Sequence, residues 1–182
     1  MFDRNAFMEA VELGGRFQVE HWRGDEKLAT YDIHNEITTE GKDSLLDVMF
    51  HNDTQIETWY LSLVDVAGFT ATAVTDTYDQ IDGSNGWDEY TDYTYAANAT
   101  ARAEWQEDAA SGGSISNTTV ATFDIDAPGG SVYGIFLVGG GANADLQADA
   151  AGGGKLWATA NFTANVVVAN TDQLKVTYTV TA

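Results

Sequence analysis

The stretch LKVTYTVT at residues 174–181 sets Leu174, Val176, Tyr178 and Val180 on one side of an extended chain and Thr177, Thr179 and Thr181 on the other. Side chains of a strand point alternately to opposite faces, so this is a strand with one face buried and one in water. Working outward, residues 132–138 are apolar on both faces, the mark of a central strand. Residues 121–125 (ATFDI) form another strand, stopped by Ala127, Pro128, Gly129 and Gly130. Residues 59–63 (WYLSL), 155–162 and 164–168 read the same way. Near the start, Phe17 and Val19 alternate with Gln18 and Glu20, residues 28–38 alternate again, and Gly24-Asp25 between them is a hairpin signal. Roughly eight short strands broken by turn glycines predict a mainly β fold, an antiparallel β-sandwich or jelly roll.

Helical signals are few. Over residues 39–50, Thr38 or Thr39 supplies a cap and Glu40 and Asp43 suit the positive end of the helix dipole. Leu45, Leu46, Met49 and Phe50 then recur at helical spacing. Residues 5–13, with Phe7, Met8, Val11 and Leu13, allow one or two further turns before Gly14-Gly15. The expected organisation is an N-terminal arm, 1–15, and a single sandwich domain, 16–182. Residues 70–98 are weakly patterned and read as a surface loop holding a strand pair. Residues 111–114 and 139–154 (GGGANADLQADAAGGG) read as glycine-rich loops, the second as a flexible excursion.

Charge narrows the function. Eight Lys and Arg against 28 Asp and Glu give a formal net charge of -20 in 182 residues. From Asp43 to Gly154 there are 18 acidic residues and one basic residue, Arg102. Nucleic acid and anionic membranes are gripped by cationic side chains that displace counterions, so neither is an expected partner. The chain has no cysteine, which excludes disulfides and thiolate chemistry. Acids stand where a signal peptide carries its apolar stretch, and no apolar run approaches the ~20 residues of a spanning helix, so a protein made in the cytoplasm is expected.

No motif assembles a reaction. His21, His34 and His51 show no metal or protease spacing, although His21 and His34 lie on neighbouring strand candidates and could approach each other. Gly113-Ser114-Ile115-Ser116 lacks a nucleophile elbow, and neither glycine run is followed by the Lys-Ser/Thr of a phosphate loop. Asp79, Asp82, Asn85 and Asp88 offer oxygen ligands around Gly83, a weak imitation of a calcium loop without its terminal Glu; an acidic turn explains them as well. Of the five tryptophans, Trp59 and Trp157 fall in apolar strands and read as core. Trp87, between Gly86 and Asp88 with Tyr90, Tyr93 and Tyr95 nearby, reads as the exposed one, a protein-contact anchor or a sugar platform, with packing of this loop on its own domain an equal alternative. No cofactor and no catalytic residue are expected.

The order of several segments carries a resemblance. Leu13-Gly14-Gly15 runs into Phe17-Gln18-Val19-Glu20; after the hairpin come residues 35–47 (NEITTEGKDSLLD), Phe50, Thr54-Gln55-Ile56 and Trp59-Tyr60-Leu61. Arg102, Trp105, residues 109–117 (AASGGSISN) and Gly134-Ile135-Phe136-Leu137 follow in order. From about Leu13 to its C-terminus the chain resembles a family of tailed-phage virion structural proteins, whose members are head decoration (cement) or tail-associated proteins. The acidity and the 139–154 loop depart from that pattern. The resemblance implies a capsid decoration protein on the outer surface of the head, with the major capsid protein and copies of itself as partners, as a dimer or trimer. It carries over no catalytic residues. Phe2, Phe7, Met8 and Val11 are the expected anchors of the arm on a capsid subunit or a neighbouring copy, and a helix packed on its own domain is the alternative. A tail- or fibre-associated protein and a carbohydrate-binding sandwich are the competing readings.

Overall fold

The computed structural model describes residues 13–65, 71–81, 86–126 and 129–182. The chain opens with a hairpin of β1 (Gly14–Arg23) and β2 (Glu26–His34), turning at Gly24, whose φ of 57° is the left-handed conformation such a tight turn needs. There follow β3 (Glu36–Ile37), α1 (Thr39–Phe50) and β4 (Trp59–Asp65). The short strands β5 (Glu89–Tyr90), β6 (Tyr93–Thr94), β7 (Ala103–Glu104) and β8 (Ser114–Ser116) come next. The long β9 (Ala121–Ile125), β10 (Gly130–Gly139), β11 (Lys155–Val168) and β12 (Asp172–Thr181) complete the fold. Where two strands were expected, β11 is one strand, but its pairing with β10 shifts register between Asn161 and Val166.

Two six-stranded antiparallel sheets result, β2-β1-β12-β9-β6 with β8 also on β12, and β3-β11-β10-β4-β5 with β7 also on β4. The chain passes between sheets at both edges, through Asn35 from β2 to β3 and through residues 91–92 from β5 to β6. These crossings nearly close the sandwich into a barrel and leave few free edges for foreign strands. The alternation read in 174–181 holds: Leu174, Val176, Tyr178 and Val180 are all buried. They meet Leu61, Leu63, Ile135 and Leu137 of the other sheet in the main core, where Phe17 stacks on Tyr178 with ring centroids 4.1 Å apart.

β10 explains why its sequence is apolar on both faces. Val132, Ile135 and Leu137 enter the main core, while Phe136 and Val138 point outward into a second core with Val64, Leu156, Tyr78, Ile81, Trp87 and Ala144. The covering residues come from the described segments 71–81 and 86–87 and from 140–154, all expected to be surface loops. They are a third layer over the outer face of the second sheet. The glycine-rich loop is therefore packed structure, and the correction has a physical cause: an apolar outer face must be covered by something.

α1 forms at the expected residues. Thr38 caps it, its hydroxyl accepting the Gly41 amide at 2.9 Å. Gly41 permits close seating, because a Cβ there would lie 2.6 Å from the Trp157 carbonyl of β11. Glu40 accepts the amides of Tyr78 (2.9 Å) and Leu156 (2.7 Å), joining helix, covering layer and sheet.

The β11–β12 turn carries a strained residue. Thr171, exposed and β-branched, has φ 73°. Left-handed backbone costs an L-residue with a Cβ about 1–2 kcal/mol, partly offset by the larger folding entropy of glycine. Thr171→Gly is expected to stabilise the chain by about 0.5–1 kcal/mol, read as a Tm rise of roughly 1–4 °C in a thermal melt.

Candidate interaction surface

The solitary cation of the acidic middle is fully buried. β7 and the preceding turn place Arg102 with its side chain 0% exposed, opposite Glu89 of β5. Its Nε donates to Glu89 Oε1 at 2.9 Å and a terminal nitrogen to Oε2 at 2.7 Å, the two-pronged geometry of a guanidinium on a carboxylate. The remaining N–H groups donate to the carbonyls of Ala144 (3.2 Å) and Asp149 (2.8 Å) and to the Tyr78 hydroxyl (3.4 Å), so the pair reaches into the 140–154 loop. Glu89 also accepts the Ala148 amide at 2.8 Å and the Ser62 hydroxyl. Burial alone disfavours the Arg102 charge; the bonds to Glu89 outweigh it and hold the guanidinium above its ordinary pKa. Tyr78 donates its phenol to Asp149 at 2.6 Å, and burial, with that bond, pushes it up to about 12.

A second buried carboxylate, Asp172, begins β12. It accepts from Arg23 at 2.7 and 2.9 Å and from the Ala169 amide at 2.9 Å, and pairs with His21 Nε2 at 2.8 Å. His21 is thus occupied on β12. His34 lies opposite Arg16, at the far end of the hairpin from the His21–Ala29 pair, so the two histidines do not meet.

Between α1 and one end of the sandwich lies an apolar groove of about 520 Å³. Leu45, Val48 and Met49 of α1 form one wall, Ile56, Trp59 and Trp157 another, and Ile115, Val180 and Leu13 close the far side. Trp59 and Trp157 meet edge to face at 5.8 Å, and Trp157 Nε1 donates to the Tyr178 hydroxyl at 3.1 Å. Both rings are part-buried: they pack against the main core, as the sequence reading expected, and also wall the groove. Outside the groove, the other side of α1 carries Leu46 (53% exposed) and Phe50 (80% exposed), one helical turn apart, with Met49 (64% exposed) between the two faces.

The remaining expectations fall as follows. Trp87 is 0% exposed, tilted against Phe136 at 5.4 Å and bonded through Nε1 to Asp76 at 2.9 Å. It covers the outer face of β10, so it is neither the expected contact anchor nor a sugar platform, and Tyr90 and Tyr93 are buried too. Asp79 accepts the Thr77 hydroxyl and Asp88 uses its backbone carbonyl on the Asp65 amide; Asp82 and Asn85 lie outside the described residues. Among the described residues no group of three or more His, Asp or Glu gathers as metal ligands. Phe2, Phe7, Met8 and Val11, like most of the expected 1–15 arm, lie outside the described residues. Sequence reasoning missed the Arg102–Glu89 pair; its one signal was a single Arg among 18 acids. Among the described residues no helix is long and apolar enough to cross a membrane.

Two outcomes follow from these charges. Arg102→Met leaves Glu89 buried and uncompensated, which is expected to cost about 3–5 kcal/mol in urea unfolding and to open the 140–154 loop to limited proteolysis. For Asp172, burial raises the carboxyl, but Arg23, the Ala169 amide and His21 outweigh it and hold the pKa well below the usual carboxylate range. A depressed native pKa gives stability that is complete above the unfolded value near 4 and is lost as pH falls toward the native one. Asp172→Asn is expected to be less stable at pH 7, by on the order of 2–3 kcal/mol, with the deficit shrinking as pH drops below about 4.

Neither models of known protein families nor curated protein sequences give a match to this chain.

Proposed function

We propose that the chain is a structural subunit of a tailed-phage particle, a decoration protein that binds the outer surface of the head and reinforces the shell. The observation that carries this reading is the outer ridge of α1. Leu46 and Phe50 stand in solvent beside an otherwise carboxylate-rich sequence. Contiguous exposed apolar side chains with a central aromatic are the usual currency of protein–protein contact. The buried ionisable groups point the same way: Arg102, Glu89, Asp172 and His21 are each engaged inside the fold. The family resemblance at residues 35–47, which includes Leu46, supplies the virion context. A carbohydrate platform has lost its support with the burial of Trp87, Tyr90 and Tyr93.

Decoration requires a subunit that stays folded and soluble at high copy number. A nearly closed sandwich with few free edges and a net charge of -20 suits that demand. The partners in this reading are the capsid subunit and further copies of the chain, arranged about a local symmetry axis of the shell.

The test uses heads of the encoding phage that lack this protein. Added wild-type chain is expected to bind saturably in many copies per head and to raise the temperature at which the heads release DNA. Leu46→Asp with Phe50→Asp, changes at exposed positions, is expected to keep Tm within about 2 °C while abolishing binding. Wild-type-level binding by the double variant removes α1 from the interface. A few copies at a single vertex of native particles would place the chain in the tail.

A further inference from the structure

The groove beneath α1 is open and lined almost wholly by carbon: Leu45, Val48, Met49, Ile56, Trp59 and Trp157 dominate it. Water in its roughly 520 Å³ would stand against walls that offer few hydrogen bonds. Such a space calls for apolar side chains. We infer that the chain's own residues 1–12 fill it, with Phe7, Met8 and Val11 as the inserted groups.

Three observations favour this occupant. First, Leu13, the first described residue, is itself a wall of the groove, and Gly14 starts β1 opposite Thr181, which also lines it. The segment therefore begins inside the space to be filled. Second, residues 1–12 (MFDRNAFMEAVE) carry Phe2, Phe7, Met8 and Val11, an apolar content that matches the carbon-lined walls. Third, from Leu13 back to Phe7 is at most ~20 Å of extended chain, so the groove walls beside Leu13 lie within reach of these side chains. A covalently attached segment also acts at an effective concentration near the millimolar range, which favours it over a separate molecule. Filling the groove covers Leu45 and Val48 but leaves Leu46 and Phe50 outside. The inference is thus independent of the virion role and needs no particle to test.

The absence of cysteine makes the test direct. Full-length chain with Phe7→Cys and Met49→Cys is oxidised mildly at low concentration. A control pairs Phe7→Cys with Val167→Cys, since Val167 is exposed and roughly 20 Å along the sheet from Trp157, counted on the β10 residues paired with β11. The expected result is an intrachain disulfide between positions 7 and 49 in most molecules, running as monomer on a non-reducing gel, with the control unlinked. Covalent dimers would show that the segment enters the groove of a second copy, and linkage no greater than the control would leave the groove to an external partner; both overturn the inference. In a second measurement, Phe7→Asp with Met8→Asp in the full chain is expected to lower Tm by more than about 5 °C and to increase binding of an apolar dye. An unchanged melt and unchanged dye binding would also overturn it.

Discussion

The pair formed by Arg102 and Glu89 is the contact on which the outer half of the structure depends. Removing two charges from water costs several kcal/mol per ion, and that cost is offset here only because every donor of the guanidinium is spoken for. Two of its acceptors are backbone carbonyls of the 140–154 loop, and Glu89 accepts an amide from the same loop. A segment rich in glycine, with little side-chain surface of its own, is thereby fixed by backbone hydrogen bonds to a buried charge. The loop in turn supplies Ala144 to the second core and Asp149 to Tyr78. Without the pair, the outer face of β10 would lose the part of its cover that the 140–154 loop supplies.

The molecule is consequently three layers deep over part of its area. The main core lies between the sheets, and a smaller core lies between the second sheet and its covering segments. α1 belongs to this outer architecture: Gly41 and Glu40 pin its first turn to β11 and to Tyr78, while its later turns wall the groove on one side and carry Leu46 and Phe50 exposed on the other. A helix seated at one end and apolar at the other presents its side chains at a defined angle. That is what a surface for gripping neighbouring subunits requires, and it is where the proposed role and the filling of the groove meet on one element.

Much of the fold was legible because period-two alternation is a local property. The strands at 17–22, 121–125, 132–138 and 174–181 and the helix at 39–50 emerged at or near their expected places, since each has a buried face written into adjacent residues. Burial of Trp87, Tyr78 and Ile81 was not legible. They lie in a stretch without regular period, and whether such a segment floats in water or roofs a sheet depends on distant residues, here Phe136 and Val138. The exposure of Leu46, Met49 and Phe50 was hidden for the converse reason: helical spacing of apolar residues signals a face that wants cover, not one that has it.

The sequence by itself determined the antiparallel β class, the hairpin at Gly24, the capped helix after Thr38 and the strongly acidic character, because neighbours along the chain suffice to set dihedral preference, periodicity and net charge. Only the tertiary structure decided that the lone Arg102 is an internal clamp, that Asp172 gathers Arg23 and His21, and that the groove under α1 opens beside Leu13. Each of these joins residues far apart in sequence, and hydrogen bonding and desolvation act through space, so no window along the chain could reveal them.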